Sequence, residues 1–421
     1  MPRLTSDRSV WILILAIALA ARLFAAVWWN ARVGERQFFF GDSEGYWELA
    51  RSIATGGPYA YPTPEYRVFR TPGYPLVLSS VFLVFGDKPP PLAGRVLSAV
   101  LGTMAVGVVG WWTGQLFDAS AARLAGWIAA LYPGAIALGV FVLSEAPFCA
   151  LMLLHLALWS AAWQAASRRR AIAWAVGGGA AAAAATMMRP SWLLFAPFAL
   201  AIGLLFASQP KRQLVVGGAM CAALAVGMSP WWVRNALVTG RFVPTSLQVG
   251  ASLYDGLHEG ATGASDMSFV PEITAAERAA EVTSDDVFEY RLDRRFLGAS
   301  LDWARHHPLR VVQLAGIKFL RMWNVWPNEP AFRSLLVRVA IFVTYAPLLV
   351  LGLLGAWRFT PRGWPYVLAW LPAVYLTLLH VIFVSSIRYR EPAMLALVVL
   401  ASGFLGETIA GRAKPPQVPA D

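Results

Sequence analysis

Charge is scarce in this chain. Of its 421 residues only 14% are Asp, Glu, Lys or Arg, and 57% are hydrophobic. A soluble domain carries about 25% charged residues, so the composition excludes an ordinary soluble enzyme. Cysteine is almost missing. The two present, Cys149 and Cys221, both lie in apolar stretches, which argues against a disulfide framework or a thiolate metal site. Histidines show no metal-ligand spacing: His155 and His380 sit in apolar runs, and the adjacent His306-His307 pair is poorly placed to put both rings on one ion. Gly177-Gly178-Gly179 has no P-loop lysine beside it and lies within an apolar run, where small residues serve helix packing. The alternating pattern of a membrane β-barrel is missing, and so is any convincing internal repeat. A formal net charge of +11 raises the question of nucleic acid. The basic residues, however, are scattered between apolar runs, with no patch large enough to track a phosphate backbone.

What the chain has is apolar runs of about 20 residues, long enough for α-helices that cross a bilayer. Ten are expected: Val10–Trp29, Leu92–Leu116, Leu124–Leu143, Phe148–Trp163, Ala171–Met187, Trp192–Ala207, Leu214–Met228, Leu335–Trp357, Trp364–Val384 and Ala393–Ile409. The first reads as an uncleaved signal anchor. Arg3 and Arg8 precede it, and the Arg168-Arg169-Arg170 triplet, Lys211-Arg212, Arg358, Arg362, Arg412 and Lys414 follow later runs; such clusters mark cytoplasmic loops. Both termini are then cytoplasmic. The many tryptophans, Trp28-Trp29, Trp111-Trp112 and Trp231-Trp232 among them, suit interfacial belts.

The fold expected is an all-α polytopic membrane protein of about ten spans. A transmembrane module (1–233) carries an external first loop (30–91) with surface helices. A modest external domain (234–308) comes next, then an interfacial helix with the C-terminal spans (309–412), and a cytoplasmic tail (413–421). Within the external domain the acidic run Glu277 to Asp293 reads as a solvated helix. In the interfacial helix, Arg310, Lys318 and Arg321 fall on one face at spacings of 8 and 11.

The predicted external side gathers charged residues from distant parts of the chain. Asp42, Glu44 and Glu145 are acids; Arg70, Arg189, Lys318, Arg321, Arg388 and Arg390 are bases. Arginines at headgroup depth can grip a phosphate with two bonds each, and a carboxylate beside them can take a proton from an attacking hydroxyl. That combination suits transfer of a group from a lipid phosphate. Plainer roles exist for each: Asp42 fits a helix N-cap, Glu145 fits a cap before Pro147, Arg189 fits a loop marker, and the remaining cations fit interfacial anchors.

Five segments in order, GDSEGYWELA, RTPGYP, LYPGAIALGVFVLSEAPF, HPLRVVQLAGIKFLRMWN and RYREPAMLAL, resemble the GT-C class of membrane glycosyltransferases. Within it they resemble the protein O-mannosyltransferase and aminoarabinose transferase branch (glycosyltransferase family 39 or 83-like). The resemblance implies a GT-C helical bundle and an inverting transferase. A sugar would pass from a polyprenyl-phosphate donor to a lipid, glycan or protein acceptor at the periplasmic face of a bacterial inner membrane. It maps the acidic residue that serves as catalytic base or acceptor-site acid onto Asp42, and the acid at the outer end of the third span onto Glu145; Glu44, Tyr46, Arg70 and Arg189 are expected to bind substrate with Glu145. Lys318, Arg321, Arg388 and Arg390 then hold the donor phosphate. A divalent metal at Asp42-Ser43-Glu44 is possible in the class but not favoured for this branch. Where protein mannosyltransferases often carry adjacent Asp-Glu, this chain has Asp-Ser-Glu, which leaves the acceptor open. A flippase of lipid-linked sugars and a non-catalytic membrane scaffold are the rival readings.

Overall fold

The computed structural model describes residues 8–34, 38–206, 209–281, 285–327 and 334–413. Arg3, Lys414 and the expected tail from 414 onward lie outside the described residues. Among those described, the elements are helices and turns, with no strand. The long apolar runs become α1 (Arg8–Val33), α4 (Pro91–Leu116), α7 (Glu145–Gln164), α8 (Arg168–Met188), α10 (Pro210–Thr239), α15 (Leu335–Phe359), α16 (Trp364–Ile382) and α17 (Glu391–Ala413). All eight contain an apolar window long enough to cross a bilayer.

Two of the ten expected spans take a different form. Leu124–Leu143 is divided between α5 (Ala119–Leu131) and the short α6 (Pro133–Leu138), and the run after Trp192 forms only α9 (Phe195–Phe206). Pro133 divides the first of these. Its nitrogen carries no proton, so the Ala129 carbonyl loses its helical donor. In hydrocarbon such an orphan is costly, and Arg22 of α1 resolves it. Arg22 Nη2 donates to the Ala129 carbonyl at 3.2 Å and Nη1 to the Ala130 carbonyl at 3.1 Å. Arg22, the one charge in an otherwise apolar stretch of α1, is therefore a cap for a helix that stops short.

Helix α7 is the most enclosed of the eight, with 72% of its apolar window buried, and it packs on α4, α8, α16 and α17. Its first residue, Glu145, is thus held at the centre of the bundle. Small residues bring α8 close to its neighbours: a Cβ added at Gly179 would lie 2.4 Å from the Met220 carbonyl oxygen of α10.

Between α1 and α4 lie α2 (Gly41–Ala54) and α3 (Gly73–Phe85), both too short to span. After α10 come α11 (Val249–Gly256), α12 (Val270–Ala279), α13 (Phe288–His306) and α14 (Pro308–Trp323). Here the acidic run departs from the solvated helix read from the sequence, because Glu277, Glu289 and Asp293 are all buried. Glu277 accepts from Arg291 and Arg295 at 2.9 and 2.8 Å. Asp293 accepts the Gly250 amide at 2.7 Å. Glu289, Leu292, Asp293, Phe296 and Ser300 form one buried stripe of α13, so these acids share the helix face that carries the apolar anchors. Helix α14 is amphipathic in the opposite sense to the one expected: Leu314, Lys318 and Met322 face inward, while Leu309, Val312 and Leu320 are exposed.

Candidate active site

Asp42 is the second residue of α2, not its cap; Phe40 holds the cap position and makes no side-chain cap bond. The Asp42 carboxylate is therefore free for Arg70, whose Nη2 donates to Oδ1 at 2.7 Å. The Arg70 guanidinium lies 4.7 Å from the Tyr46 ring centre, one turn along α2. Arg70 precedes Thr71-Pro72-Gly73, and Gly73 opens α3 directly against the end of α8. A Cβ at Gly73 would come within 2.6 Å of the Met187 carbonyl carbon, so glycine is what lets the Arg70 loop sit beside Arg189.

Glu145 begins α7 and does not cap it; Ser144 occupies that position without a side-chain bond. Its carboxylate takes two guanidiniums. Arg189 Nη1 lies 2.7 Å from Oε1 and Arg388 Nε lies 3.0 Å from the same oxygen. Arg189 is placed by its neighbour: the residue before Pro190 is pushed out of helical geometry, so α8 ends at Met188 and Arg189 is extended, at φ −139° and ψ 113°. Arg388 lies in the turn Ile387–Tyr389 between α16 and α17. Its guanidinium is 5.0 Å from the Phe40 ring centre, two residues before Asp42. Tyr389 completes this wall. It stacks on His380 at 4.2 Å and lies under Arg189 at 5.6 Å. A narrow crevice runs between Glu145, Arg189, Arg388 and Tyr389.

The two ion-pair groups sense each other. Partial burial works against ionisation of Asp42, but the Arg70, Arg388 and Arg189 guanidiniums override it and hold its carboxyl below the usual range. Burial lowers Arg388, and Glu145, Tyr389 and Asp42 more than reverse that, so the guanidinium keeps its proton more firmly than usual. Two carboxylates against three guanidiniums leave one positive charge in excess, in a recess where the Arg189 and Arg388 side chains are 19% and 18% exposed. Such a site attracts a polar group of negative charge.

The remaining sequence-predicted residues go elsewhere. Glu44 is exposed and lies near Tyr61. Lys318 is fully buried and gives protons to the Gly256 carbonyl at 2.9 Å and the Ile382 carbonyl at 2.7 Å. Burial, only partly opposed by Asp255, pulls its ammonium down to about 8. Lys318 thus ties α14 to the ends of α11 and α16. Arg321 lines an open groove with Ile317, Leu320 and Trp323. Arg390 is buried against the Tyr345 ring, 3.5 Å from its centre, and donates to the Met322 carbonyl at 3.1 Å and to the Asn324 carbonyl. The two residues before it differ in role: Arg388 and Tyr389 line the crevice, and Arg390 holds backbone. Tyr389 was missed in the sequence, where an aromatic between two arginines reads as an interfacial anchor. Among the described residues no three His, Cys, Asp or Glu side chains are grouped to hold a metal ion.

The architecture is similar to that of the Archaeoglobus fulgidus oligosaccharyltransferase in its apo form. The identity is 15% and the TM-score 0.59, over 98% of this chain and 52% of that one. The archaeal oligosaccharyltransferase AglB from A. fulgidus, in complex with an inhibitory peptide and a dolichol-phosphate, matches at 15% identity and a TM-score of 0.58, over 99% and 53%. ArnT from Cupriavidus metallidurans bound to undecaprenyl phosphate matches at 16% identity and a TM-score of 0.47, over 98% and 82%. This chain spans about half the length of the oligosaccharyltransferases it matches. No protein-family model matches it, and no curated protein matches it in sequence. At these identities the likeness is one of fold. The chain is an integral membrane protein whose helical fold is similar to that of the oligosaccharyltransferases, the kind of bundle expected from the five sequence segments.

Proposed function

We propose that this chain is an inverting glycosyltransferase that uses a polyprenyl-phosphate-linked sugar and works at the outer face of the membrane, delivering the sugar to a hydroxyl or amine. The observation that carries the reading is the five-charge cluster: Asp42 and Arg70 beside Glu145, Arg189 and Arg388. Arg388 and Arg189 hold the donor phosphate, with Glu145 fixing their directions. Arg70 shares Asp42 between the resting ion pair and the incoming acceptor. In the transfer, the acceptor oxygen or nitrogen attacks the anomeric carbon from the face opposite the phosphate. The bond from that carbon to the phosphate oxygen breaks, its electron pair leaves with the lipid monophosphate, and the acceptor proton passes to Asp42. A phosphate monoester with a second pKa of about 6 leaves without a strong acid, so one base is enough. Arg390 and Lys318 support the site through backbone carbonyls.

The test is to supply membranes containing the chain with a polyprenyl-phosphate sugar and an acceptor extract, and to follow both lipid and sugar. Transfer releases lipid monophosphate in step with labelled acceptor. A flippase would move the donor across vesicles unconsumed, and a scaffold would do neither.

A further inference from the structure

The segment leading to Arg70 is gripped along its backbone by side chains and amides from elsewhere in the chain. Glu289 Oε2, in the first turn of α13, accepts the Arg67 amide at 2.8 Å and the Val68 amide at 3.0 Å. Arg234 Nη2, on α10, donates to the Arg67 carbonyl at 2.8 Å. The Leu247 amide donates to the Val68 carbonyl at 2.9 Å, and the Tyr59 hydroxyl donates to the Arg70 carbonyl at 3.1 Å. Val68 itself is fully buried. Glu289, Arg234 and Leu247 all lie between the start of α10 and the end of α13, a region that adds no charge to the five-charge cluster. A carboxylate buried to 2% exposure is costly unless its acceptors are used, and here both backbone amides it meets belong to the segment that aims Arg70.

We propose that Glu289 is a positioning residue: by holding the Arg67 and Val68 amides it sets where Arg70 meets Asp42, and so couples α13 to the acceptor side of the site. This rests on the reading of Asp42 as the base. Coupling of this kind acts on the chemical step and not on donor capture, because Arg189 and Arg388 are carried by other elements. Burial, with a smaller contribution from Asp293, pushes the Glu289 carboxyl up to about 7, against the two amides and Arg234. The charged and titratable groups around it are Arg234, Asp293 and the Tyr66 phenol.

The experiment compares wild type, Glu289→Leu and Glu289→Gln as full chains in detergent micelles, by amide hydrogen exchange and by transfer kinetics with a polyprenyl-phosphate sugar. In Glu289→Leu the Arg67 and Val68 amides should exchange at least about tenfold faster. There kcat should fall at least about tenfold while the donor KM stays within about twofold. Glu289→Gln should restore both, since one carboxamide oxygen in the Oε2 position can accept both amides. Unchanged exchange in Glu289→Leu, or a parallel change of kcat and KM without rescue by Gln, overturns the proposal. If Glu289→Leu does not fold, Glu289→Asp decides: its carboxylate is one methylene too short to reach both amides, so the Arg67 and Val68 amides should exchange at least about tenfold faster than in wild type. Wild-type exchange of both amides in Glu289→Asp overturns the proposal. If wild type shows no transfer at all, the transferase reading fails, and the exchange data still decide whether Glu289 holds the segment.

Discussion

Glu145 at the start of α7 and Arg388 in the turn before α17 meet at 3.0 Å, and the carboxylate oxygen that Arg388 reaches is also held by Arg189 at 2.7 Å. One buried carboxylate therefore orients two arginines. Removing it leaves two mostly buried guanidiniums side by side without the carboxylate between them. Glu145→Ala is expected to cost about 3–5 kcal/mol, read as a drop in thermal unfolding temperature. Glu145→Gln should lose less stability but should still disorder the crevice. A variant as stable as wild type would show that the carboxylate does not organise the arginines.

Arg388 and Arg390 are two residues apart and should separate cleanly by experiment. Arg388 lines the crevice, whereas Arg390 is bound to the Met322 and Asn324 carbonyls. Arg388→Gln should weaken binding of undecaprenyl monophosphate about 10- to 100-fold, the value of a charge-assisted hydrogen bond, with a smaller loss of unfolding temperature than Glu145→Ala because Arg189 still holds the carboxylate. Arg390→Leu should do the reverse, lowering stability while the folded fraction binds within about twofold of wild type. Titration of each variant by tryptophan fluorescence checks both.

Arg22 gives a stability test far from the crevice. With Pro133 unable to donate, Arg22→Leu strands the Ala129 carbonyl and weakens the hold on Ala130. The expected loss is about 2–5 kcal/mol. Chemical denaturation in micelles measures it, and a loss near zero would mean that the α5 end finds another donor.

Glu289 should make stability depend on pH. Its carboxyl rises from 4.5 to about 7 on folding, so below 4.5 both folded and unfolded chains carry the proton and the contribution is whole. Between 4.5 and about 7 the unfolded chain ionises first, and stability falls by up to about 3 kcal/mol. Above about 7 the dependence ends. Relative to Glu289→Gln, wild type should therefore lose unfolding temperature across that window and run parallel above it.

Much of the bundle was legible from hydropathy, since a run of about 20 apolar residues has few alternatives to a spanning helix. The exceptions were local. Pro133 cut one run, and Arg22 compensated from another helix, a pairing no window of hydropathy can reveal. In the candidate site, Asp42, Arg70, Glu145, Arg189 and Arg388 were all singled out from charge and predicted side, yet their partners follow from the close approach at Gly73 and the turn at Pro190. Lys318 and Arg390 have the sequence pattern of phosphate ligands, because a cation near an interface looks the same whether it faces a headgroup or a carbonyl. The acids of α13 look solvated by charge alone, although their spacing places them with Leu292 and Phe296. The helical period carried that information; the charge obscured it.

The proposed reaction turns on Asp42 as the base beside a phosphate held by Arg189 and Arg388. Its most direct test is the rate of sugar transfer from a polyprenyl-phosphate donor by Asp42→Asn, measured beside donor binding in the same preparation. Transfer should fall about 100- to 10,000-fold while donor binding stays close to wild type. Transfer at the wild-type rate by Asp42→Asn would contradict the claim.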